Sequence, residues 1–167
     1  LGSGREWDLA RKSGGLNIFP PYAQKAISSF NGGRVEALEG ILTFLKAQKE
    51  KYVVLSDTNI AYNMDFKKII KAHRENGADV TAVYAKEVLP KSLLNSEDSR
   101  KGMYYTLDIN DENRVTKMNI NEKSEDVKNL GMNIYVMERE LLIEKVNETY
   151  MRGGVFLGRD ILIPQID

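Results

Sequence analysis

The chain has 167 residues, near the length of one ordinary domain and long enough to bury a single sizeable core. Its 24 Lys and Arg balance 24 Asp and Glu, so no net basic field exists to recruit nucleic acid or an acidic membrane surface. Cysteine is absent, which rules out disulfides, thiolate metal sites and cysteine nucleophiles and fits a reducing, cytoplasmic setting.

Residues 1–33 are rich in Gly, Pro and Ser and show no sustained period. Pro20-Pro21 imposes extended backbone, while Gly14-Gly15 and Gly32-Gly33 permit tight turns, so this stretch is expected to wrap over a surface. From Arg34 the pattern changes. Val35, Leu38, Ile41, Leu42 and Leu45 recur at helical spacing and predict one amphipathic helix to about Gln48. Tyr52 to Leu55 reads as a buried strand. Asp65 is placed to cap a helix from Phe66 to Glu75, and Gly77 to stop it. Asp79 to Ala85 alternates and carries β-branched residues, so it reads as the next strand. Helix, strand, helix, strand in that order argues for parallel strands joined by crossover helices.

Lys91 to Lys101 is polar and aperiodic, and reads as a flexible loop. Tyr104 to Ile109 and Val115 to Ile120 flank Asn110-Asp-Glu-Asn-Arg114, a hairpin with a polar turn. Gly131 to Met137 is a further strand, and Glu138 to about Asn147 a charged amphipathic helix. Gly158-Arg-Asp-Ile-Leu-Ile-Pro164 reads as a short helical turn stopped by proline. No run is apolar and long enough to cross a bilayer, no secretory signal pattern opens the chain, and there are no internal repeats. Beginning at Leu1 with Leu-Gly-Ser-Gly, the chain reads as a segment of a longer protein.

The polar residues from Ser56 to Asn59 follow a buried strand directly, where ligands bind in open α/β sheets. Asp57 and Asp65 could hold a hard divalent cation through oxygen ligands. The plainer reading is that Asp57 satisfies loop backbone and Asp65 is an N-cap, and for Asp65 the cap is favoured by the helical pattern that follows it. Gly32-Gly-Arg-Val-Glu36 opens a helix and could offer backbone amides to an anion, though a bare Gly-Gly before a helix is common. Glu122-Lys123 follows the hairpin, and Lys123 could reach a phosphate as a mobile point charge or simply be a solvated lysine. His73, the only histidine, has Ile69 and Ile70 beside it on its helix and reads as a packed imidazole. The tyrosines, Met103 and Met118 are expected to pack on the sheet. No Gly-x-Ser-x-Gly, Walker loop or dinucleotide fingerprint is present.

Several motifs together resemble one family. Gly4-Arg-Glu-Trp-Asp-Leu9 and Gly14-Gly-Leu-Asn-Ile-Phe-Pro-Pro21 are followed by Gly33-Arg-Val-Glu-Ala-Leu38 and Tyr62-Asn-Met-Asp-Phe66. Then come Met118-Asn-Ile-Asn-Glu-Lys123, Met132-Asn-Ile-Tyr135 and Phe156-Leu-Gly-Arg-Asp-Ile161 with Pro164. In this order and spacing they resemble the ADP-glucose pyrophosphorylases (glucose-1-phosphate adenylyltransferases), most of all the non-catalytic, regulatory GlgD-type subunit of some bacteria. The resemblance implies an α/β, Rossmann-like nucleotidyltransferase (nucleotide-diphospho-sugar transferase) fold, with a mostly parallel mixed sheet and a β-hairpin insertion. Residues 1–167 would then be the central and C-terminal part of one such domain. The family's Gly-rich nucleotide loop would lie before them, and its second metal carboxylate and β-helix domain after them.

The departures from the family pattern carry the functional expectation. Counting back from Met64-Asp65, the metal-binding Asp of the family's Ser-Gly-Asp-His falls on Asn59, whose amide lacks the charge that favours a hard cation. Arg34 replaces Thr, Glu36 replaces Asp, Ser124 replaces Pro and Asn133 replaces Gly. The resemblance thus implies a catalytically impaired subunit of ADP-glucose synthesis for glycogen, in a hetero-oligomer with a catalytic subunit. Gly33, Arg34, Glu36, Glu122, Lys123 and Asn133 would contact a substrate, or a sugar-phosphate or nucleotide effector. Magnesium serves the family, but no metal is assigned to this segment, which alone should not catalyse adenylyl transfer. Two alternatives stay open: an active magnesium-dependent nucleotidyltransferase in which Asp57 replaces the missing carboxylate, and an interaction domain that binds no ligand. Neither nucleic acid nor membrane is an expected partner.

Overall fold

The computed structural model describes residues 15–19, 33–57, 61–94 and 103–166. The sequence features at Trp7, Pro20-Pro21, Gly32 and Asn59, and most of the loop expected after Lys91, lie outside the described residues. In chain order the elements are α1 (Arg34–Glu39), α2 (Leu42–Ala47), β1 (Tyr52–Leu55), α3 (Phe66–Asn76), β2 (Val80–Val88) and α4 (Lys91–Leu94). They continue with β3 (Tyr105–Ile109), β4 (Val115–Ile120), β5 (Val127–Glu138) and α5 (Arg139–Met151). A π-helical turn (Leu157–Leu162) and a 3-10 turn (Ile163–Gln165) close the chain.

Local chemistry accounts for the clearest elements. The Asp65 carboxylate accepts the Lys67 N–H at 3.0 Å, and Gly77 ends α3 in the left-handed region at φ 59°. At the hairpin tip the Asn110 Oδ1 accepts the N–H groups of Glu112 (3.1 Å) and Arg114 (2.9 Å). The single helix expected from Arg34 to Gln48 is instead two, interrupted at Gly40 and Ile41. Glycine is a poor helix residue, and the break still leaves Val35, Leu38, Leu42 and Leu45 buried in one core. The expected loop after Pro90 begins as a helical turn, with the Leu93 N–H on the Pro90 carbonyl at 2.8 Å. Pro164 does not stop the last turn; it sits in the first turn of the 3-10 segment, where its missing N–H costs no bond.

The expectation of a mostly parallel sheet is overturned. β5 pairs antiparallel with β1, β2 and β3, and β3 pairs antiparallel with β4; every described pairing is antiparallel. Running opposite to the same strand, β1 and β2 point the same way and are joined through α3, so the crossover inferred from the sequence exists. What the local pattern hid is β5, which enters between them: Leu55 and Ala82 both pair with Tyr135, from opposite sides. The hairpin is part of this sheet, since Thr106 of β3 pairs with Leu130 of β5.

The far half of β5 is buried on both faces. Tyr135 and Met137 join the main core with Tyr105, Leu107 and Met118 of the hairpin and Leu142, Ile143 and Val146 of α5. Ile134 and Val136, both fully buried, face the other way. On α3, His73 is buried, its Nδ1 2.8 Å from the Thr81 hydroxyl of β2 and its ring edge-on to Tyr52 of β1 at 5.3 Å. One imidazole thus ties the helix to two strands that pair with β5 from opposite sides. Arg139 fastens the first helices to the start of α5 by donating to the carbonyls of Leu45 and Glu50, each at 3.0 Å. Of the Gly-rich opening only residues 15–19 are described; they lack regular structure, and Phe19 stands edge-on to Phe44 of α2 at 5.0 Å.

Candidate functional site

Several described polar side chains gather at the carboxyl end of β1. Gly33 is extended there and serves as the N-cap of α1. A Cβ at residue 33 would run into the Val155 carbonyl, and that carbonyl accepts the Val35 N–H at 3.2 Å. Part of the amide cradle expected for an anion is therefore already occupied by the chain itself. From this anchored helix start the Arg34 guanidinium reaches Asp57, two residues past β1, and forms an ion pair with its carboxylate. The neighbouring Ser56 hydroxyl donates to the Asp57 carbonyl at 3.0 Å and lies 2.7 Å from the Tyr62 hydroxyl. The Tyr62-Asn-Met-Asp stretch is thereby tied back to the strand end.

Asn133 belongs to the same region. Between Val83 and Tyr84 the β2–β5 register slips, leaving Met132 and Asn133 as extra residues on β5. Asn133 takes φ 53° there, a left-handed conformation that asparagine tolerates better than most residues. The Asn133 side-chain oxygen accepts from the Tyr135 hydroxyl at 3.3 Å. Burial pushes the Tyr135 phenol well above its ordinary value; the Tyr105 phenol and the Asp57 carboxylate add to the rise and Arg34 opposes it.

Two further contributors went unassigned in the sequence reading. Tyr105 is buried, and its phenol is raised chiefly by that burial, against a backbone hydrogen bond from Arg159 and the charges of Arg34 and Arg159. Gly158 packs against this ring so closely that a side chain there would overlap it. Asp160 accepts the N–H groups of Val155 (2.7 Å) and Phe156 (2.8 Å) and the Arg159 Nε at 2.6 Å. The Arg159 guanidinium and those two N–H bonds hold the Asp160 carboxyl down at about 2. Phe156-Leu-Gly-Arg-Asp was visible as a motif, but nothing in the sequence said that it would support the Gly33 turn.

Glu122 and Lys123 stand apart. The Glu122 carboxylate accepts from the Thr106 hydroxyl and from Lys128 Nζ at 2.6 Å, and these bonds, Lys128 first, lower its pKa. Lys123 is exposed. Among the described residues no hydrogen bond or ion pair links either of them to Arg34 or Asp57, and Glu36 makes none through its side chain. The cluster therefore presents the Arg34–Asp57 and Arg159–Asp160 ion pairs beside the buried phenols of Tyr105 and Tyr135. That chemistry suits binding and orienting a polar ligand.

Magnesium demands several oxygen ligands in a near-octahedral array. Among the described residues no three Asp, Glu, His or Cys side chains stand together to hold a metal, and Asp57 is engaged by Arg34. The described residues do not fit the ion.

Together the sheet and this strand end define an α/β domain with a candidate ligand site at the carboxyl end of a strand. No family model matches the chain. It is similar to proteins named glucose-1-phosphate adenylyltransferase from Lachnospira eligens (29% identical over 144 residues, 85% of this chain and 31% of the relative). It is similar at the same identity to those from Clostridium novyi (86% and 35%) and Thermosipho africanus (99% and 38%). These relatives support the resemblance to the ADP-glucose pyrophosphorylase family. It spans about a third of the length of the curated relatives it matches.

Proposed function

We propose that the protein of which this chain is a part is a regulatory, catalytically impaired subunit of glucose-1-phosphate adenylyltransferase. It would have the nucleotidyltransferase fold and act in the cytoplasm, in ADP-glucose synthesis for glycogen, assembled with a catalytic subunit. The observation that carries this reading is Asn59. It stands where the family's motif has a metal-binding Asp, within a series of motifs whose order is otherwise kept. Phosphoryl-group chemistry of this type relies on a cation to neutralise the phosphates, and an amide in place of a carboxylate weakens that support. The Arg34–Asp57 ion pair points the same way, because the alternative of an active enzyme needs the Asp57 carboxylate for metal. In this reading the cluster from Gly33 to Asp57, with Asn133, retains a role in binding a sugar phosphate or nucleotide effector.

The test is pyrophosphate release from ATP, glucose-1-phosphate and magnesium. The full-length protein alone should give no turnover, and should change the kinetics of a catalytic subunit when the two are mixed. Turnover by the full-length protein alone, at rates typical of enzymes, would sink the reading.

A further inference from the structure

We propose that Arg34 is an internal cation that neutralises Asp57 in place of a divalent metal, so that this strand end is built to work without one. The idea rests on the reading above only for the choice of metal; its basis is geometric. Arg34 is the first residue of α1, and the backbone on either side of it is pinned to Val155: Gly33 by close packing and Val35 by a 3.2 Å hydrogen bond. Its guanidinium is therefore delivered from a fixed base rather than from a loose loop. The Asp57 side chain is 26% exposed and that of Arg34 29%, so the pair is neither fully solvated nor sealed. Tyr105 and Tyr135, both buried, lie near enough to feel the Arg34 charge.

A guanidinium remains charged at every physiological pH and meets a carboxylate with directed N–H bonds. A divalent cation approaching Asp57 meets this positive charge first, and must displace Arg34 before the carboxylate becomes available. Among the described residues no further carboxylates or imidazoles stand with Asp57 to offset that displacement. The outcome is a carboxylate beside β1 whose charge is already compensated, whether or not magnesium is present.

The experiment counts Mn²⁺ bound to the full-length protein, by the loss of the free-ion electron paramagnetic resonance signal. Wild type and Asp57→Asn should bind the same number of ions. Arg34→Ala frees the Asp57 carboxylate, so an ion held by that carboxylate and water should appear, at least tenfold tighter than any that wild type has through Asp57, and Arg34→Ala/Asp57→Asn should lose it again. Arg34→Lys, which keeps the charge, should gain none. Arg34→Gln is the second neutral variant if Arg34→Ala does not fold. An ion bound by wild type and lost in Asp57→Asn overturns the proposal, and so does a folded neutral variant that gains no Asp57-dependent site. Ion counts and pyrophosphate release are separate readouts, so either idea can fail while the other stands.

Discussion

Gly33 and Val155 approach so closely that the Val155 carbonyl fills the space a Cβ on residue 33 would take. The φ of Gly33 is −85°, so steric room rather than backbone conformation demands glycine here. Gly33→Ala should destabilise the protein by roughly 1–3 kcal/mol, the usual range for overpacking. Urea unfolding measures it. A change under about 0.5 kcal/mol, the scatter of neutral surface substitutions, would show that the Val155 loop yields freely.

The loop opposite Gly33 is held by Asp160, whose carboxyl is lowered from 3.8 to about 2 by Arg159 and two backbone N–H groups. The native state prefers the ionised form, so this stability is present in full above the unfolded value of 3.8 and is lost as the pH falls through about 2. Asp160→Asn should cost roughly 1–2 kcal/mol at pH 7, allowing for solvent screening. Its stability should converge with that of wild type near pH 2. A cost independent of pH would assign the effect to packing instead.

His73 titrates in the opposite sense. Burial lowers its pKa below the ordinary 6.5, and the opposing charges of Glu138 and Asp79 do not reverse this. As the pH drops through 6.5 the unfolded imidazole binds a proton that the native one resists, so stability falls. Wild type should lose urea midpoint between pH 7.5 and 5 faster than His73→Gln, which cannot titrate. Parallel pH profiles for the two proteins would contradict the assignment.

Glu122 and Lys123 are neighbours with different duties. Glu122 is turned onto the sheet by Thr106 and Lys128, whereas Lys123 points outward and is exposed. Lys123→Ala should leave stability within about 0.5 kcal/mol, as substitution of an exposed lysine does. Glu122→Gln should lower the melting temperature more than Lys123→Ala does, because it removes the charge that Lys128 faces. Equal melting temperatures would show that the Glu122 bonds contribute nothing to the fold.

Arg34→Ala should cost little stability, on the order of 0.2–1 kcal/mol, because the ion pair is partly open to solvent. A loss of several kcal/mol in thermal or urea unfolding would mean that Arg34 is structural first.

Features set by near neighbours were legible in the sequence. The Asp65 cap, the Gly77 stop, the β4 strand and the Asn110 turn each depend on residues a few positions apart, and each was found where expected. The break at Gly40 was missed because the apolar period runs straight through it: Val35, Leu38, Leu42 and Leu45 keep one buried face on both sides of the gap. The paired strand directions were missed for another reason. Alternation and β-branching mark a strand but not its neighbour, and nothing near β1 or β2 announces that β5 will lie between them.

By itself, then, the sequence carried the resemblance to one family, the element types and the residues to watch, since motif order and local periodicity are written along the chain. Tertiary structure decided what those residues face. Asp57 became a partner of Arg34, 23 positions away, and Glu122 a partner of Thr106 and Lys128. Asn133 became the residue that carries a bulge in β5. Charge pairing acts through space over a few ångströms, and only the packed sheet brings such distant positions within that range.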